Sequence, residues 1–408
     1  MKILFLTMSS SFAHIEERGI YTDLMRKFRD EGHEVYIMYP NERRYGRPTK
    51  LSVKGNVYSL AVRTLNVTKT SIVEKGIGQL LLESQFKRAI KKYFKGVKFD
   101  VILYSTPPIT FNGVIEYAKK SSGNKAMTYL LLKDIFPQNA VDMGMLSKTG
   151  AKGILYKMFR SKEERLYQIS DFIGCMSPAN VEYVLKHNPM VSADKVEIAP
   201  NSVDLPPYEV LQEEERLAIL KRYDLPTDKP IFIYGGNLGI PQGIPFLIEC
   251  LEANANRVDC HFAVVGSGTY YSRLADWYKQ RRPTAVTVMK GLPKADYDKL
   301  VRACQVGLIF LDYRFTIPNY PSRLLSYLEY KMPIIACTDP NCDTGVIAEE
   351  NGFGLYTPSN DVESFATTVN RMLQSDIKSM GEHGYEYLKA NYLVEHTYNA
   401  IMKHVIAG

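Results

Sequence analysis

The feature that most constrains this chain is an alternation, run twice, of short β-branched and aromatic segments with longer amphipathic ones. In the first run the candidate strands are 2–8, 33–39, 56–62, 100–105, 127–132, 171–177 and 195–198, and helical periodicity marks 18–30, 72–94, 113–120 and 153–168. Strands that are apolar almost throughout and separated by helices belong to a parallel sheet covered on both faces. The alternation stops near Pro206-Pro207, crosses a polar helical stretch at 213–223, and resumes after Lys229-Pro230. Strands are then expected at 231–234, 261–265, 285–289, 307–311 and 333–336, with helices near 243–253, 270–279, 294–303, 322–330, 362–373 and 377–392. The expected fold class is α/β: two tandem Rossmann-like, doubly wound domains, residues 1–205 and 206–389, with ligands bound in an interdomain cleft at the carboxyl ends of their sheets.

Composition narrows the function classes. At 45% hydrophobic and 23% charged residues over 408 positions, the chain has material for full-sized cores, which excludes a disordered or collagen-like protein and a single small binding module. The apolar run at the start, Ile3–Leu6, is too short for a signal-peptide core, and no stretch approaches the roughly 18–20 apolar residues that span a bilayer, so a cytoplasmic location is expected. Six scattered cysteines without a Cys-x-x-Cys spacing or paired histidines indicate neither a zinc site nor a disulfide framework. Charge is uneven: residues 1–205 carry 31 Lys and Arg against 20 Asp and Glu, whereas 206–408 carry 20 against 24. A basic first half suits a polyanionic surface or a phosphorylated substrate, although solvated lysines on helix faces account for part of the excess.

Three segments of the second half carry the chemistry. Tyr234-Gly235-Gly236-Asn237-Leu238-Gly239-Ile240-Pro241-Gln242-Gly243 follows a strand and opens a helix, so its glycines can turn the backbone and aim amides at a diphosphate. Gly236, Asn237, Gly239 and Gln242 are the candidate contacts; a glycine-rich turn without a ligand is the plainer alternative. Val265-Gly266-Ser267-Gly268 begins like a dinucleotide fingerprint, but Tyr271 stands where the third glycine belongs, so a nucleotide over Gly266 and Gly268 is expected rather than NAD. In Pro321-Ser322-Arg323, Pro321 suits the first turn of a helix, placing Ser322 and Arg323 beside free amides, with Arg323 available to a phosphate or, alternatively, to a surface carboxylate.

In the first half, Gly19 lies near a helix start, with His14 and Arg18 in the loop before it, and Lys133-Asp134 follow an apolar strand. A carboxylate at a strand's carboxyl end, such as Asp134, suits catalysis, although an N-cap or turn-forming role fits it too. Lys87, Arg88, Lys91, Lys92, Lys95 and Lys98 surround Leu80, Leu81, Phe86, Ile90, Tyr93 and Phe94 on a helical period. Either this basic amphipathic surface rests on anionic lipid, or the apolar stripe covers the sheet and the lysines are solvated.

Taken in order, Gly19 through Gly32-His33-Glu34-Val35, Ser105-Thr106-Pro107-Pro108, Lys133-Asp134-Ile135-Phe136-Pro137, Pro200-Asn201-Ser202-Val203-Asp204, the Gly-Gly-Asn-Leu-Gly segment, Val265-Gly266-Ser267-Gly268 and Pro321-Ser322-Arg323 through Lys331-Met332-Pro333 resemble a retaining glycosyltransferase of family 4 with the GT-B fold, of the kind that builds bacterial capsule or O-antigen repeats. The resemblance implies a UDP-sugar donor held by the second domain, with the base near Gly291-Leu292 and the ribose and diphosphate near the Pro321 helix. It implies a lipid-linked or glycan acceptor on the side of His14, Arg18, Gly19 and Lys133, a closing helix near 390–408 that returns to the first domain, and peripheral contact with the inner face of the membrane. Two glutamates that many members carry eight positions apart are replaced here by Pro318 and Ser326, and a common phosphate-loop lysine by Gln242. Ser326 can still bond a ribose hydroxyl, and Glu329 stands three positions on.

Sugar transfer needs the anomeric carbon to become oxocarbenium-like while charge builds on the departing nucleotide. No acid and base pair of the glycosidase type is evident, so prearranged donors and Arg323 are expected to stabilise the leaving group, with Asp134 as the second candidate catalytic residue and no cofactor or metal. Two other classes stay open: an epimerase of the same fold, which needs no acceptor, and a non-catalytic partner subunit. Nucleic-acid binding is not expected, since no recognition motif accompanies the basic residues.

Overall fold

The structure, a computed structural model, describes all residues except 10, 11, 13, 68, 69, 71, 407 and 408, and only the backbone of 72, 73, 75, 76, 80 and 406. The chain divides into two compact units: Met1–Asp204 with the carboxyl-terminal segment from Tyr392, and Leu205–Asn391.

The first unit runs β1 (Lys2–Leu6), α1 (Ile20–Asp30), β2 (Glu34–Glu42), β3 (Lys50–Lys54), β4 (Val57–Thr64), α2 (Ile72–Tyr93), β5 (Val101–Ser105), α3 (Asn112–Ser121), β6 (Met127–Leu131), α4 (Gln138–Asp142), α5 (Gly150–Ile169), β7 (Phe172–Cys175), α6 (Pro178–His187) and β8 (Val196–Ile198). The second comprises α7 (Glu213–Arg222), β9 (Ile231–Asn237), α8 (Ile244–Ala253), β10 (His261–Ser267), α9 (Tyr271–Arg281), β11 (Val286–Lys290), α10 (Lys294–Ala303), β12 (Val306–Phe310), α11 (Arg323–Glu329), β13 (Ile334–Thr338), α12 (Thr344–Glu350), β14 (Gly354–Pro358), α13 (Val362–Gln374) and α14 (Ile377–Asn391). A last helix, α15 (Val394–Ile406), belongs to the first unit. There Val394 N donates to Val203 O at 3.0 Å, and the Tyr398 ring lies 5.0 Å from Phe28 of α1.

Among the described residues the first sheet has the order β3-β4-β2-β1-β5-β6-β7-β8 and the second β11-β10-β9-β12-β13-β14. Both are doubly wound, as the alternation predicts. Strands such as Ile3–Leu6, Val101–Tyr104 and Ile231–Tyr234 are buried on both faces, which is why they read as unbroken apolar runs. The order reverses between β1 and β5 in one sheet and between β9 and β12 in the other, and the carboxyl ends at such a reversal are where open α/β sheets bind ligands.

Two corrections follow, and one open alternative is decided. The first sheet is not wholly parallel: β3 pairs antiparallel with β4 across a turn at Gly55-Asn56. Its largely exposed Lys-Leu-Ser-Val-Lys sequence has no apolar face to reveal it, and the lysines at its ends protect a sheet edge. The helix after Tyr320 begins at Arg323 with Ser322 as N-cap, so Pro321 precedes the cap instead of occupying the first turn. On α2, Phe86, Ile90 and Phe94 are buried, with Phe94 edge-on to Tyr36 at 5.1 Å, so this part of the stripe covers the sheet, while Leu81 is exposed; the Leu80 side chain lies outside the described residues. The lysines at 91, 92 and 95 are solvated.

Candidate functional site

In the second unit, β9 carries Gly235, Gly236 and Asn237 to the carboxyl edge of the sheet beside the order reversal. A Cβ on Gly235 would lie 1.8 Å from the Tyr297 hydroxyl, so only glycine lets α10 approach; Gly236 has φ 118°, a conformation that L side chains rarely adopt. Asn237 Nδ2 donates to Gln242 Oε1 at 2.8 Å, and the Tyr234 hydroxyl donates to Asn237 O at 2.8 Å. The loop from Asn237 through Gly239 to Gln242 is thus closed by a neutral amide pair. Its amides are not all available to an anion, because Leu238 N donates to Ser267 O at 2.9 Å.

Arg323, the first residue of α11, turns back onto this edge. Its guanidinium carbon lies 4.4 Å from the Tyr234 ring centroid, in cation–π range. A Cβ on Gly236 would lie 3.3 Å from Arg323 Nη2. Burial works against the charge, but the Tyr234, Tyr327 and Tyr297 hydroxyls outweigh it and hold the pKa above its ordinary value. No carboxylate is among these neighbours. Arg323 Nη1 is buried without a hydrogen-bond partner, and so is Asn319 Nδ2, four residues earlier. Two buried nitrogens lacking acceptors within one segment are costly unless a ligand supplies them, since an unpaired buried donor costs about 1–3 kcal/mol.

The other second-unit candidates extend this edge. A Cβ on Gly266 would meet Gly236 O at 2.2 Å, and the place of a Cβ on Gly291 is 3.6 Å from Ser267 Oγ, so Gly236, Gly266–Gly268 and Gly291-Leu292 form one continuous rim across β9, β10 and β11. Ser322 is exposed, Pro321 half-buried, and Ser326 half-buried midway along α11. Glu329 is buried in the last turn of α11.

In the first unit, Asp134 follows β6 next to the end of β5. Lys133 N and Asp134 N donate to Thr106 Oγ1 at 3.0 and 3.2 Å, and Asn139 Nδ2 donates to both Asp134 carboxylate oxygens at 2.8 and 2.9 Å. Burial raises the Asp134 pKa to about 6 against the opposing Asn139 and Ile135 bonds. Tyr21, whose hydroxyl bonds Ser105, is close enough to feel the Asp134 charge. The sequence did not mark Asn139, Tyr21, Tyr297 or Asn319 as site residues, since each is an ordinary helix, strand or loop residue until its unit folds, and it marked Thr106 only as part of a motif.

The acceptor-side candidates are placed as follows. Lys133 Nζ does not stand free: it donates to Ala199 O at 3.0 Å, and burial lowers its pKa to about 7. Gly19 N is bound by Asp23 Oδ1 at 2.9 Å, and Arg18 donates to Asp204 O at 2.8 Å. His14 is exposed and rims an open groove of about 1030 Å³ lined also by Tyr39, Asn41, Tyr45, Lys50 and Ser59. Among the described residues no group of three His, Cys, Asp or Glu side chains is arranged to hold a metal ion, and no helix is long and apolar enough to cross a membrane.

The Lys133 geometry sets a pH test. A lysine whose folded pKa is lowered binds fewer protons in the native chain than in the unfolded one between about pH 7 and 10.5, so its contribution to stability rises with pH across that window. In urea unfolding, the parent is expected to gain about 3 kcal/mol relative to Lys133→Met between pH 7 and 9.5. A pH-independent difference would mean that this amine is not desolvated.

Comparison with known proteins yields concordant matches. Residues 215–387 match the model of the family described as Glycosyl transferases group 1. A probable glycosyltransferase, WbjE of Pseudomonas aeruginosa, is 22% identical over 324 residues, covering 79% of this chain and 78% of that protein. Among solved structures, the sucrose-phosphate synthase of Thermosynechococcus elongatus superposes with a TM-score of 0.76 at 14% identity over 100% of both chains. Anabaena Alr3699/HepE in complex with UDP superposes at 0.70 and 13% identity, also over 100% of each. The fold is therefore that of GT-B glycosyltransferases, two Rossmann-like parallel-sheet units.

Proposed function

We propose that this chain, whose second unit carries the group 1 glycosyltransferase match, moves a sugar from a UDP-sugar donor to a lipid-linked or glycan acceptor in surface polysaccharide synthesis, with retention of anomeric configuration as in family 4. The observation that carries the reading is Arg323, a half-buried residue whose Nη1 is buried without a partner and whose guanidinium is held against Gly236. A nucleoside diphosphate supplies the missing acceptors. Its pyrophosphate would lie across Gly236 and Arg323, its ribose toward Ser326, and its base toward Gly266, Gly268 and Leu292.

Charge develops on the β-phosphate as the anomeric carbon–oxygen bond breaks, and a preorganised cation in a dry setting stabilises that charge without reorganising. The acceptor hydroxyl attacks the same face and passes its proton to the departing phosphate oxygen. Asp134, in the first unit, would orient that hydroxyl through a hydrogen bond, with the acceptor entering by the groove at His14. Arg323 supplies the positive charge on this reading, and no metal or cofactor is invoked.

Thermal melting against a panel of nucleotides and nucleotide sugars tests the donor. UDP and one UDP-sugar, at about 100 times Kd, are expected to raise the transition of the second unit by roughly 5–10 °C. If no nucleotide shifts it at millimolar concentration, the reading fails. Conversion of the UDP-sugar without acceptor would replace transfer by epimerisation.

A further inference from the structure

The first unit holds a surface that neither the donor edge nor the Asp134 cluster uses. From Met143 to Lys162 the chain has no Asp or Glu but five cations, Lys148, Lys152, Lys157, Arg160 and Lys162. The amino-terminal half of α5 stands clear of the unit: Ile154 is 75% exposed, Leu155 41% and Met158 38%, with Met145 of the preceding loop at 54%. Large apolar side chains at positions i, i+1 and i+4 of one helix share a face, so this is a cluster and not scattered exposure. Lys152 and Lys157 are exposed and pair with no acid among the described residues, and Lys148 lies 5.8 Å from the Tyr156 ring centroid. Ion pairing begins a turn later, where Arg160 meets Glu163 at 2.5 Å, and there α5 turns buried.

The helix is held at a definite place. Phe159 lies edge-on to Phe136 at 5.0 Å, two residues beyond Asp134, so the projecting end of α5 stands at the carboxyl edge of the sheet that presents Asp134. On α2 the two properties lie apart among the described side chains: Ile77 and Leu81 are exposed, whereas the exposed cations begin at Arg88, seven residues and roughly 10 Å farther along.

We propose that the face formed by Met145, Ile154, Leu155 and Met158 with Lys148, Lys152 and Lys157 docks the first unit on an anionic phospholipid surface. Apolar side chains enter the headgroup boundary while the lysines meet lipid phosphates, the arrangement of an interfacial amphipathic helix. A second copy of the chain fits less well, because a two-fold contact would set these unpaired lysines against their own equivalents. Joined to the reading of a lipid-linked acceptor, the docked edge would present Asp134 toward the headgroup layer.

The test is flotation of the purified full chain with phosphatidylcholine vesicles, with and without about a quarter phosphatidylglycerol. The parent is expected to partition about ten-fold or more in favour of the anionic vesicles. Ile154→Ser/Leu155→Ser/Met158→Ser is expected to lose about ten-fold or more of that binding, and Lys148→Gln/Lys152→Gln/Lys157→Gln to remove the preference for phosphatidylglycerol. Lys91→Glu/Lys92→Glu/Lys95→Glu on α2 should stay within about two-fold of the parent. All positions are exposed, so melting temperatures should match, and the UDP-induced shift, read in the second unit, separates failure here from failure of the sugar-transfer reading. Equal binding to both vesicles, unchanged binding of the serine variant, or loss confined to the α2 variant overturns the proposal. So does a concentration-dependent dimer that the serine variant abolishes, which would make the face an interface between copies.

Discussion

Replacing Arg323 by methionine is expected to lower kcat/KM for sugar transfer about 100- to 1000-fold, while leaving the chain as stable as the parent or more so. Both halves follow from one geometry. Arg323 Nη1 is buried and unpartnered, and the tyrosines around the guanidinium offer it a ring face but no compensating carboxylate. Replacing a half-buried charge that has no carboxylate partner by an apolar side chain of similar length relieves its partial desolvation. The same removal leaves the leaving diphosphate without its cation, a loss felt most in the transition state, so kcat is expected to fall more than KM rises. Arg323→Lys should recover only part of the activity, since an ammonium cannot make a planar two-pronged contact or stack on Tyr234 as a guanidinium does. Steady-state kinetics with urea unfolding of the same preparations measure both. An active Arg323→Met protein, or an inactive one that is strongly destabilised, would place the residue in the structural frame and not in the chemistry.

Asp134→Asn should lower kcat by about 100-fold or more with little change in donor KM, and should change how rate depends on pH. With a pKa raised by burial to about 6, the parent carboxyl takes up a proton as pH falls through that value, so activity requiring the carboxylate declines below about pH 6. The variant should lack that limb. Stability moves the other way. The native chain keeps a proton on Asp134 between about pH 4 and 6 that the unfolded chain has released, so this group's contribution weakens as pH rises through the window and is absent from the variant. The substitution can be accommodated locally because Asn139 Oδ1 is buried without a partner and can accept from the new amide once the Asn139 side chain turns over. Retention of the acidic limb in Asp134→Asn would assign it to another group.

Particular residues mark how far the sequence reading reached. The Gly-Gly-Asn segment, Gly266–Gly268 and Arg323 were legible because strand-to-helix glycine turns and a cation after Pro-Ser are local patterns. Their meeting was not: Tyr234 and Tyr297 lie far from Arg323 in sequence, and no periodicity relates them. Pro321 misplaced a helix start by two residues because proline is compatible both with the first turn and with the residue before the cap. For α2 the sequence left two readings, lipid contact or cover for the sheet, because periodicity identifies an apolar face but not what covers it; at Phe94, Tyr36 and the sheet do. On α5 the same kind of face is left bare.

The amino-acid sequence by itself determined the α/β class, the order in which strands and helices follow, and which glycines reach the carboxyl edges of the sheets, because these depend on propensity and pattern over a few neighbouring residues. Only the tertiary structure decided which charges are buried without partners, which amides are already bound, and which apolar faces remain open. Those properties belong to contacts between residues distant along the chain, and such contacts exist only once the strands have chosen their neighbours.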